Sequence, residues 1–194
     1  MKGRIWTVPN QITFLRLGFL PFFLILIAYD HYRSALLVLV IAGLSDGIDG
    51  LLARSLNQRS PLGAYLDPIA DKLLLSSSFI ILAFKKQLAW WLTILVLSRD
   101  VLILIVAVVI LLVSGYRPFP PSIYGKLTTA AEIILVFLVV LAAAFPNYRV
   151  GLLNHFFTVG ALNHFFIYAV TVLSIVSGFH YSFTTARHLS GPTP

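Results

Sequence analysis

Apolar residues along this chain gather into six runs, at 12–29, 34–54, 67–84, 88–115, 127–145 and 157–181, each close to the roughly 20 residues that a helix needs to cross a bilayer. The polar stretches between them are short. The pattern predicts six transmembrane helices in one compact bundle over residues 12–181, preceded by an interfacial segment, 1–11, and followed by a cytoplasmic tail, 182–194. The whole chain, 1–194, reads as a single membrane domain.

Composition fixes the class. The chain is 59% hydrophobic and 11% charged, with a mean hydropathy of +0.92, far from the balance of soluble domains. The expected fold class is an all-α integral membrane protein. The first run contains Arg16 and ends without a small-residue cleavage site, so it reads as a retained helix and not a signal peptide. Lys2, Arg4, Arg54, Arg59, Arg117, Lys126 and Arg187 fall on one side of the six runs, against Arg33, Lys85, Lys86 and Arg149 on the other. The positive-inside rule places both termini in the cytoplasm.

Absence of cysteine excludes disulfides and thiol chemistry. The formal charge of +7 is scattered over loops and spans without a stripe or binding module, which argues against nucleic acid. Attraction to anionic headgroups and phosphorylated substrates accounts for it better.

Against this background one stretch stands apart. Asp46, Asp49, Asp67 and Asp71 are four of the seven acidic residues, all within a short segment, and carboxylates at membrane depth need counter-charge. Hard oxygen donors, with no cysteine or histidine nearby, point to Mg²⁺ or a similar cation rather than zinc. At about 100° per residue, Asp46, Asp49, Gly50 and Ala53 share one side of the second helix, and Asp67 and Asp71 share a side of the third. The segment 55–66, with Asn57, Ser60, Pro61 and Gly63, is expected to break the helix and let the two return antiparallel. Gly50 and Ala53 leave room for a ligand, Gly63 does the same from the turn, and Arg54 is positioned to meet phosphate.

The spacing D-x2-D-G-x2-A-R-x8-G-x3-D-x3-D, formed by Asp46, Asp49, Gly50, Ala53, Arg54, Gly63, Asp67 and Asp71, resembles the full signature of the CDP-alcohol phosphatidyltransferases. The resemblance implies a dimeric enzyme of the cell (inner) membrane. It implies transfer of a phosphatidyl group from CDP-diacylglycerol to an alcohol, with release of CMP, using Mg²⁺ or Mn²⁺, two ions in all. Carried over by position, Asp46, Asp49, Asp67 and Asp71 would be metal ligands, Asp71 would also act as catalytic base, and Gly50, Ala53, Arg54 and Gly63 would contact CDP.

For the acceptor, Val8-Pro9-Asn10 through Arg16 and Asp67 through Lys72 resemble the phosphatidylglycerophosphate synthases, as do Gly125 and Lys126. These imply glycerol 3-phosphate, with Arg16, Lys72, Arg99 and Lys126 as candidate acceptor-binding residues. Trp6 through Asn10, Asn57 through Ser60 and Ser98-Arg99-Asp100 are similar to CMP-forming cardiolipin synthases, which take phosphatidylglycerol, and Ala107 stands where the former group usually has a second arginine. A cation-coupled transporter is the alternative of another class. The acids cluster on one membrane side and the motif has no inverted copy, which speaks against it. Glu132 is expected to pair with Arg99 or Lys126, and Arg99 and Asp100, being adjacent, are expected to have different partners. His155 and His164 repeat within a short duplication, but nine residues apart on a helix they face opposite ways and cannot chelate together.

Overall fold

The computed structural model describes residues 8–56, 61–114, 123–146 and 159–190, with side chains for 17–44, 72–106, 123–146 and 163–179. Six helices follow one another: α1 (Val8–Ala28), α2 (Tyr32–Leu56), α3 (Pro61–Phe84), α4 (Trp90–Ser114), α5 (Ile123–Ala144) and α6 (Val159–Ser190). Among the described residues there is no strand. Each helix coincides with one apolar run, with differences at the ends. α3 begins earlier than its run because Pro61 occupies the first helical position, where its fixed φ is pre-organised and its missing N–H costs nothing. Gly63 therefore lies in the first turn of α3 and not in a loop. α6 continues past its run to Ser190. Pro21 lies inside α1, a position that spanning helices tolerate better than soluble ones.

The chain groups into two compact units. In one, α1 packs against α2 and α3, and the second half of α5 belongs with them. Its centre includes Phe23, Ile27, Phe79, Leu82 and Val140, all at most 2% exposed. In the other unit α4 packs against α6, joined by the first half of α5.

α1 and α3 end in the same way. After α1, Asp30 N–H donates to Ile27 O and His31 N–H to Leu26 O, with Asp30 at φ 62°. After α3, Lys86 N–H donates to Ala83 O and Gln87 N–H to Leu82 O, with Lys86 at φ 58°. Both are Schellman stops, in which a left-handed residue lets two N–H groups satisfy the last carbonyls. Neither uses the glycine that would adopt this conformation freely.

The described surface is apolar as well as the core, and several polar side chains are buried. Ser78, Thr93, Arg99, Thr128, Glu132, Ser174 and Ser177 are buried, while Phe22, Leu37, Ile94, Leu104, Phe165 and Phe179 are among many exposed apolar side chains. Hydrocarbon tolerates such an apolar exterior and drives polar groups inward. The inward hydroxyls find carbonyls one turn back: Ser78 donates to Leu74 O at 2.6 Å, Thr128 to Tyr124 O at 2.7 Å and Thr171 to Ile167 O at 2.7 Å. Of the described residues, α5 forms the one helix long and apolar enough to cross a membrane. Leu17–Ala28, Tyr32–Leu44, Lys72–Phe84 and Asn163–Phe179 are shorter apolar stretches.

Candidate active site

The signature residues fall on two helices joined by four residues. Asp46, Asp49, Gly50, Ala53 and Arg54 lie in the C-terminal half of α2, and Gly63, Asp67 and Asp71 in the N-terminal half of α3. Their side chains, like that of Arg16 on α1, lie outside the described ones. The backbone nevertheless restricts the site. Four intervening residues hold Leu56 and Pro61 within at most ~18 Å of each other, and both helices pack against α1.

Distances from the facing helix ends match in pairs. At 1.5 Å per residue, Asp46 lies ~15 Å back from the end of α2 and Asp71 ~15 Å on from the start of α3, while Asp49 and Asp67 lie ~10 Å from their respective ends. Were the two helices to run antiparallel side by side, the four aspartate positions would fall at two common levels. On each helix the two aspartates are three or four residues apart, and so within roughly 40–60° around the axis. Carboxylates are the donor type that a hard divalent cation takes, so these four are the residues that could hold one.

The basic candidates differ in setting. Lys72, next to Asp71, is half-buried on α3, and Lys126 is exposed in the first turn of α5. Arg99 is 7% exposed. Its Nη1 donates to Asp100 Oδ1 at 2.7 Å and its Nη2 to Ser177 Oγ at 2.9 Å. Its Nε has no hydrogen-bond partner among the described residues. The expectation that Arg99 and Asp100 have different partners is thus corrected. Adjacent Cβ atoms diverge on a helix, but the arginine stem is long enough to bring its guanidinium back to the neighbouring carboxylate. Glu132 is fully buried on α5. Trp90 and Trp91 begin α4 with about half their surface exposed, as interfacial aromatics do, and His164 is exposed on α6 while His155 lies outside the described residues.

Sequence reasoning missed Ser174, Ser177 and Gly178, which line or adjoin a cleft beside Arg99. Their signal was present as small and hydroxylated residues at helical spacing in an otherwise apolar run. It also missed the Asp30–Lys85 ion pair, at 2.6 Å.

Comparison with known proteins agrees with the signature. The family model described as CDP-alcohol phosphatidyltransferase matches residues 6–178. A protein named probable phosphatidylglycerophosphate synthase from Mycobacterium tuberculosis is 32% identical over 196 residues, covering 98% of this chain and 87% of its own. Human cardiolipin synthase (CMP-forming) is 34% identical over 163 residues, covering 74% of this chain and 52% of its own. The cardiolipin synthase (CMP-forming) of Streptomyces coelicolor is 40% identical over 132 residues, 65% of this chain and 61% of its own.

Proposed function

Because the chain belongs to the CDP-alcohol phosphatidyltransferase family, we propose that it moves a phosphatidyl group from CDP-diacylglycerol to a glycerol hydroxyl in phospholipid biosynthesis. What supports this reading is the match of the chain to the family over residues 6–178, together with the placement of Asp46 and Asp49 in the C-terminal half of α2 and of Asp67 and Asp71 in the N-terminal half of α3.

In this reading Asp46, Asp49, Asp67 and Asp71 hold two divalent ions, Mg²⁺ or Mn²⁺, which when bound neutralise charge on the diphosphate. Gly50, Ala53 and Gly63 give the CDP moiety close access to backbone, and Arg54 meets its phosphate. Asp71 accepts the proton of the acceptor hydroxyl. The hydroxyl oxygen bonds to the phosphatidyl phosphorus, the bridging P–O bond breaks, and CMP leaves with the electron pair. All six helices span the cell membrane, with the motif and both termini cytoplasmic, and the enzyme works as a homodimer, as the family resemblance implies.

Glycerol 3-phosphate is the first acceptor, supported by the mycobacterial synthase that aligns along nearly all of both chains. Arg16, Lys72 and Lys126 are its proposed phosphate contacts. Phosphatidylglycerol is the second, and a specific observation favours it. Arg99 has its charge offset by Asp100 at 2.7 Å, and so suits a phosphomonoester carrying about −1.5 to −2 at neutral pH poorly. A phosphodiester demands less. CMP release by the purified chain, given CDP-diacylglycerol and each acceptor in turn, tests the reading. Stimulation by one acceptor identifies it, and no CMP release with either contradicts the transferase assignment.

A further inference from the structure

Arg99 and Asp100 interrupt an otherwise apolar run on α4, and the arginine is held from two sides. Its Nη1 donates to Asp100 Oδ1 at 2.7 Å, one residue on along the same helix, and its Nη2 donates to Ser177 Oγ at 2.9 Å, on α6. Arg99 is 7% exposed and Ser177 1%. Bulk water therefore does not compete for the second bond, which is a shielded, charge-assisted one.

α6 is fixed at this level by a third helix of the same unit, the first half of α5. Thr128 on α5 is fully buried, and its hydroxyl lies 2.7 Å from Tyr124 O and 3.3 Å from Leu173 O. Leu173 precedes Ser177 by about one helical turn. The serine oxygen is thus presented to α4 by a helix that α5 also tethers.

Stability does not account for the arrangement. A buried arginine–carboxylate pair offsets its own desolvation poorly, and apolar side chains of similar volume in its place are often neutral or stabilising. What the second contact adds is direction. Asp100 alone would neutralise the guanidinium and leave it free to pivot about a single bond, whereas Ser177 on the other terminal nitrogen sets its plane. A guanidinium carries five N–H donors in a rigid fork, of which these contacts use two, and Nε has no hydrogen-bond partner among the described residues. Donors held in a fixed plane are what recognition of phosphate oxygens by arginine requires.

We propose that Ser177 is a positioning residue of the acceptor site: through Nη2 it holds the Arg99 guanidinium in the orientation that meets the acceptor's phosphate. The inference rests on the transferase reading, with Arg99 as an acceptor contact. Ser177 itself touches no reacting atom.

The test measures CMP release by the full chain in mixed micelles, varying first the acceptor that stimulates release and then CDP-diacylglycerol. Ser177→Ala is expected to raise the KM for the acceptor about tenfold, with kcat and the KM for CDP-diacylglycerol unchanged. Ser177→Thr, which restores a hydroxyl, is expected to recover the lower value. Arg99→Lys is expected to raise the acceptor KM by itself, and Ser177→Ala to add nothing in that background, because an ammonium has no plane to set. Alanine is the better helix former, and Ser177→Cys, of nearly the same size and only a weak acceptor, replaces it should the alanine variant fail to fold. An unchanged acceptor KM in Ser177→Ala, an equal rise in the KM for CDP-diacylglycerol, no recovery in Ser177→Thr, or the same rise on top of Arg99→Lys overturns the proposal. A wild-type chain that releases no CMP sinks the transferase reading and this inference with it, whereas release with an unshifted Ser177→Ala sinks the inference alone.

Discussion

The Asp30 carboxylate lies 2.6 Å from the Lys85 ammonium, tying the residue that stops α1 to the residue that closes α3. Lys85 Nζ also donates to Ala28 O at 3.1 Å, and the Tyr32 hydroxyl donates to Asp30 Oδ1 at 3.1 Å. One cation and one anion thus fasten two helix ends that each halt on a left-handed residue.

This contact is pH-dependent in a determined direction. The hydrogen bond from Lys85, foremost, holds the Asp30 carboxyl below its ordinary value of 3.8. A carboxyl with a depressed folded pKa contributes stability above its unfolded pKa and loses it as pH falls through the folded value. Asp30→Asn is therefore expected to lower the Tm in detergent at pH 6 and to make no difference once pH has dropped well below 3.8. Thermal unfolding of both proteins across this range checks it, and an effect that persists in acid would contradict the ion-pair account.

Lys86 carries the left-handed φ of 58° without a side-chain reason to do so. Lys86→Gly should stabilise the protein by ~1 kcal/mol, relieving the steric cost of an L-residue in that region. Lys86→Val should destabilise it. Tm values for the three proteins decide, and a fall in Tm for the glycine variant would count against the stop motif.

Around Arg99 the two contacts should be unequal. Ser177→Ala leaves Nη2 unpaired at a cost of ~1 kcal/mol, whereas Asp100→Ala leaves a buried guanidinium without its anion at roughly 3 kcal/mol. Replacing Arg99 by leucine together with Asp100 by alanine should recover much of the second loss. Denaturation of the single and double variants forms the cycle, and simple additivity would show that the pair is not coupled.

The four-carboxylate cluster should bind Mn²⁺ in the absence of lipid substrate. Electron paramagnetic resonance titration is expected to show two bound ions per chain, reduced or lost in Asp46→Asn and Asp67→Asn. Chelation should stop CMP release, and added Mg²⁺ or Mn²⁺ should restore it. Binding that ignores both substitutions would remove the metal assignment.

Helix number and order were readable because six apolar runs are separated by short polar breaks, and each coincides with an observed helix. Their ends were less legible. Pro61 extends α3 backward through Gly63, since proline at a first helical position favours a start, while a list of turn-forming residues suggested a loop. The spacing of Asp46 to Asp71 puts two aspartates on each of two helices, and α2 and α3 carry them so. Partners of long flexible residues were not legible: Arg99 reaches Asp100 beside it and Ser177 on α6, a long-range choice made by packing and invisible to periodicity. Asp30 and Lys85 are far apart in sequence and meet because α1 and α3 pack together.

The central claim is that aspartates from α2 and α3 act at one catalytic centre, and Asp71→Asn tests it most directly. With helicity and Tm unchanged, CMP release from CDP-diacylglycerol is expected to fall at least about 100-fold, the usual contribution of a positioned general base. An Asp71→Asn protein that releases CMP at the wild-type rate would contradict the account.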